Sequence, residues 1–95
     1  MNVNVETIHN HHERAVFETV GSMAQRFPAM DDAELLADIA CVALNRLPSR
    51  YIRHEVDFAF YLTDRERIDN DRAITEAVVF AFEFVQARLA MKARR

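Results

Sequence analysis

The sequence predicts a mainly α protein, with three helices and one short central strand, that pairs across a two-fold axis as a homodimer. Three observations carry this reading. Glycine occurs once in 95 residues and 51% of the chain is hydrophobic, a composition that favours packed helices over a disordered chain. Apolar residues recur at threes and fours through most of the length, which is the period of a helix. One stretch, Val56, Phe58, Phe60 and Leu62, alternates instead, which is the period of a strand. Residues 1–95 make a single domain, of a size at which oligomerisation often supplements the core.

The first helix is expected within residues 4 to 26. Val5, Ile8, Val16, Val20 and Met23 form its stripe, Phe27 follows one turn later, and His12 fills the polar gap. Pro28 ends it. Gly21 lies inside, at a cost of about 1 kcal/mol relative to Ala; a close helix crossing or a kink would account for it. His9, His12 and Glu13 share a helical face, so the geometry permits metal ligation. The paired spacings that mark zinc sites are missing, however, and no second cluster exists. These side chains read as amphipathic helix surface, and no metal is assigned.

Asp31 is placed to cap the second helix, with Glu34 as the reciprocal partner of a capping box. Leu35, Leu36, Ile39, Ala40, Val42, Ala43 and Leu47 give it a broad apolar face, so it packs on more than one neighbour. Cys41, among these residues, is expected to be a buried and inert thiol. As the only cysteine it excludes an intrachain disulfide framework and suits a reducing compartment. Pro48 stops the helix.

The stretch Val56 to Leu62 argues for a strand by its alternation and its β-favouring residues. A short helix with Ile52, Val56, Ala59 and Phe60 on one side is the rival. A strand here has no partner in its own chain, so the same strand of a second copy would complete its ladder. The last helix begins after Thr63, which forms a capping box with Glu66. It runs to Lys92, about 43 Å, longer than the roughly 26 Å expected across a compact chain of this size. Its middle, Ala77 to Val85, is apolar nearly all round and needs cover on two sides.

One corner of the chain carries charge in a pattern that could act on a ligand. No acid occurs between Ile39 and His54, whereas Arg46, Arg50 and Arg53 are all basic. Arginine's planar fork suits phosphate, carboxylate and the guanine edge, and Tyr51 supplies a ring for stacking. The competing reading has these arginines cap the carbonyls of the second helix and pair with Glu55 or Asp57. Enzymatic chemistry is not expected: no Ser-His-Asp, P-loop, GxGxxG or paired-carboxylate pattern is present, and no cofactor is implied. The net charge of −3 argues against direct DNA binding. Arg88, Lys92, Arg94 and Arg95 complement the helix dipole as a solvated end. No apolar run of membrane-spanning length occurs, and the chain is expected to be cytoplasmic.

The segment ALNRLPSRYIRHEVDFAFYLTDRER resembles the signature segment of the late competence development protein ComFB family. IHNHHERAVFETV is similar to that family's first helix, which often carries tyrosines where His11 and His12 stand here. The usual second proline of the signature is replaced by Ser49. Some members bind zinc through several cysteines, which Cys41 alone cannot reproduce. The resemblance implies a small, largely helical, regulatory homodimer of bacteria that receives a cyclic dinucleotide, cyclic di-GMP in particular. It places ligand binding on Arg46, Arg50, Tyr51 and Arg53, with Asp57 as a guanine acceptor. The alternative is a constitutive dimeric adaptor that binds a protein partner and no small molecule.

Overall fold

The structure, a computed structural model, describes residues 2–94. Arg95, the last of the basic residues placed at the C-terminal helix end, lies outside the described residues. The elements are β1 (His9–Asn10), α1 (His12–Met23), α2 (Ala33–Arg46), β2 (Tyr51–Ile52), α3 (Glu55–Tyr61) and α4 (Asp64–Ala93). Short 3-10 turns at Val5–Thr7, Ala24–Arg26 and Pro28–Met30 join them. The protein is mainly α, as its composition and period require.

The core forms where α1, α2 and α4 meet. α1 contributes Val16, Val20 and Met23, α2 contributes Ile39, Ala40 and Ala43, and Met30 and Leu47 close the ends. α4 contributes Ile74, Ala77, Val78, Ala81, Phe82 and Val85, a run of threes and fours that keeps one stripe facing inward. Thr63 caps α4, its hydroxyl accepting from the Glu66 amide at 3.1 Å. The thirty residues of α4 span about 45 Å. The radius of gyration is 15.5 Å, against about 12 Å for a compact chain of this length.

Several expectations are corrected. Val56 to Leu62 is not a strand: residues 55–61 form the helix α3, with the Phe58 amide donating to the His54 carbonyl at 3.1 Å. A strand leaves its backbone groups dependent on a neighbour, whereas a helix satisfies them internally. Glu55 and Asp57 in the first turn also favour the positive helix end. The strand character lies earlier, at Tyr51–Ile52, and its partner is intrachain: β2 pairs antiparallel with β1, His9 opposite Ile52 and Asn10 opposite Tyr51. A second copy is therefore not needed to complete a ladder.

α1 starts at His12 rather than near residue 4, because His9 and Asn10 are taken by the sheet. Val5 and Ile8 are exposed as a result. The α2 cap is Asp32, one residue later than expected; its carboxylate accepts from the Glu34 amide at 2.8 Å. Cys41 is exposed, not buried. Beyond Gly21's own helix turn, no atom of the described residues lies within 4 Å of a Cβ built on it, so no close crossing among them accounts for that glycine. Phe82 is completely buried and stacks on Phe27, with ring centroids 4.5 Å apart. The middle of α4 is thus covered on that side by its own chain.

Candidate functional site

The site is built on the turn that leaves α2. Leu47 precedes Pro48 and adopts extended backbone, φ −94° and ψ 142°, as a residue before proline prefers. The extended chain then reaches β1. Asn10 organises the junction: its side-chain oxygen accepts from the His12 amide at 3.1 Å and from the Arg50 amide at 3.4 Å. The His11 amide donates to the Arg50 carbonyl at 2.7 Å. The backbone of Arg50 is held on both its donor and its acceptor, which fixes where the side chain departs.

The arginines have separate surroundings. The Arg50 guanidinium lies 4.4 Å from the centre of the Phe58 ring on α3. Arg53 donates from Nε to the Thr7 hydroxyl at 3.1 Å, and that hydroxyl donates in turn to the Asn4 carbonyl at 2.8 Å. Arg46, at the end of α2, sits 3.7 Å above the Phe80 ring of α4. Tyr51 is 68% exposed. Among the described residues none of these arginines forms an ion pair with a carboxylate, and Glu55 engages His9 instead, Nε2 to Oε1 at 3.4 Å. The pairing of the arginine corner with Glu55 or Asp57 is not what the side chains do.

Two surface concavities flank the sheet. One, of about 610 Å³, is lined by His9, Arg53, His54, Glu55, Val56 and Asp57. A smaller one, of about 230 Å³, is lined by Arg50, Leu62, Glu66, Asp69 and Asn70. Arg53 and Asp57 therefore share a concavity, Arg50 lines the other, and Tyr51 stands exposed on β2 beside them. Arg46 lines neither.

Histidines close the inner side. The His11 ring packs on Phe58 at 4.3 Å and lies 5.5 Å from the His12 ring. His12 is buried, and Nδ1 of both rings is buried without a partner. Burial pushes the His11 pKa below its ordinary value; Glu55 opposes this, while Arg50 and His9 add to it. Burial also lowers that of His12, assisted by His11 and Arg50 and opposed by the Pro48 backbone carbonyl. Among the described residues no group of three or more His, Cys, Asp or Glu is placed to hold a metal ion. Asn10, His11 and Phe58 escaped the sequence reading as site residues. Asn10 ahead of a helix start was the available signal; Phe58 gave none, because its partners are distant in sequence.

The model of the family described as late competence development protein ComFB matches residues 9–89. The chain belongs to the ComFB family. The match runs from β1 through most of α4 and so contains the whole junction of sheet, α3 and arginines. No curated protein and no solved structure matches the chain. ComFB membership suggests a competence-related regulatory protein. Among the described residues no helix is long and apolar enough to cross a membrane.

Proposed function

We propose that this ComFB protein is a non-catalytic bacterial regulator that acts as a homodimer and receives a cyclic dinucleotide, cyclic di-GMP first, at the β2–α3 corner. The observation that supports this best is that Arg50 and Arg53 have no carboxylate partner within the described chain. The Arg50 fork and the terminal Nη groups of Arg53, whose Nε is held by Thr7, remain available to phosphate. Tyr51 offers a stacking face beside them, and Asp57, in the same concavity as Arg53, is the guanine acceptor. The homodimer is supported by the extended shape, 50 × 37 × 19 Å, and by the apolar side chains left exposed, Phe17 at 53% and Met91 at 66% among them.

Thermal melting with cyclic di-GMP, cyclic di-AMP and GTP tests the reading. A ligand at a hundred times its dissociation constant stabilises by about 2.7 kcal/mol, which raises Tm on the order of 10–20 °C in a domain of this size. Arg50→Ala removes the shift. No shift with any of the three refutes the receptor, and a species at the single-chain mass of 11.0 kDa in light scattering refutes the homodimer.

A second reading, the constitutive dimeric adaptor, draws support from α3, whose Val56, Phe60 and Tyr61 are 79%, 88% and 83% exposed. An apolar helix face of this kind suits a protein partner. Recovery of one stoichiometric partner regardless of added nucleotide favours the adaptor.

A further inference from the structure

α3 buries none of its seven residues. An isolated helix in water needs roughly 12–15 residues to be even marginally stable, so α3 depends on the contacts that dock it. Those contacts are few. Phe58 meets the His11 ring at 4.3 Å and the Arg50 guanidinium at 4.4 Å. Glu55 meets His9 at 3.4 Å. The Ala59 carbonyl accepts from Nη2 of Arg67 at 3.0 Å. Three of these four partners, His9, His11 and Arg50, belong to the sheet junction that also carries the proposed ligand site.

Arg50 can serve both groups at once. A guanidinium lying over a ring uses its π face, while its N–H donors project in its own plane. At 4.4 Å from the ring centre, and with no hydrogen bond from its guanidinium to another described residue, Arg50 keeps its phosphate-binding fork free while the ring restricts where it points. Because the Arg50 backbone is fixed by Asn10 and His11, docking of Phe58 is what selects the guanidinium position.

We propose that α3 is a ligand-set latch: an anionic ligand held by Arg50 and Arg53 favours the docked helix through the Arg50–Phe58 contact, and the ligand-free helix opens locally. The proposal rests on the ligand site at Arg50 and Arg53. Binding and docking then share one coupling free energy, and the coupling is reciprocal. The ligand orders α3, and undocking α3 weakens the ligand. Opening is local because the core of α1, α2 and α4 does not include α3. The face that the latch positions carries Val56, Phe60 and Tyr61, so ligand occupancy changes what the surface presents.

Amide hydrogen exchange across residues 55–61 in the full chain, free and with saturating cyclic di-GMP, tests the latch beside the melting shift. The ligand slows α3 exchange more than it slows the cores of α2 and α4. Phe58→Ala speeds α3 exchange without ligand, leaves the unliganded Tm nearly unchanged and weakens cyclic di-GMP by about 5-fold or more. Absence of a melting shift with every cyclic dinucleotide fails the ligand reading itself. A shift accompanied by unchanged α3 exchange, or by wild-type affinity in Phe58→Ala, overturns the latch alone.

Discussion

Three phenylalanines on α4, each two residues from the next, are expected to have unequal worth. Two residues turn a helix by about 200°, so Phe82 points away from Phe80 and Phe84, which stack on each other at 5.7 Å. Phe82 is fully buried against Phe27, and truncating such a side chain costs about 3–5 kcal/mol. That is at least about a fifth of the roughly 5–14 kcal/mol expected for a chain of this length. Phe80 is half-buried under the Arg46 guanidinium, which gives about 1–2 kcal/mol from partial burial and the cation–π contact together. Phe84 is 39% exposed and contributes least to the single chain. Urea unfolding of the three Ala variants, followed by far-UV circular dichroism and fitted with a common m value, reads the order directly. A Phe82→Ala loss below about 1 kcal/mol would refute the packing argument, because no fully buried ring is so cheap to remove. So would a Phe84→Ala loss equal to that of Phe82→Ala.

Arg46→Ala is expected to lower stability by about 0.5–1 kcal/mol through loss of the Phe80 contact, while a cyclic di-GMP melting shift persists, since Arg46 lines neither concavity; loss of the shift would place Arg46 in the site. Gly21→Ala is expected to raise stability by about 0.5–1 kcal/mol, because its added Cβ meets nothing within 4 Å beyond its own helix turn among the described residues; thermal melting checks this, and destabilisation would mean that a second copy occupies the space. Stability is expected to fall on acidification. His11 and His12 have folded pKa values below the usual 6.5, so between the folded and unfolded values the unfolded chain binds more protons and stability rises with pH. The contribution is complete above about pH 6.5 and is lost as pH falls through the folded values. His11→Phe should reduce the slope of Tm against pH below 6.5, and an unchanged slope would dismiss His11 as the source.

Local chemistry made much of this protein legible in its sequence. The single glycine and the recurring threes and fours determine a helical protein whatever the packing. Pro48 ends α2, and Thr63 with Glu66 starts α4, because capping and proline act within a few residues. The acid-free arginine corner was equally visible, since charge is a property of composition. The fate of Val56 to Leu62 was not. Its alternation favours a strand only where a neighbouring strand exists, and the tertiary structure gives β1 to Tyr51–Ile52 and leaves α3 to satisfy its own backbone. The same limit governs the site. That Arg46 lies on Phe80 while Arg50 lies on Phe58, and that Asn10 holds Arg50 from forty positions away, depends on which segments meet in space, and no spacing along the chain encodes that.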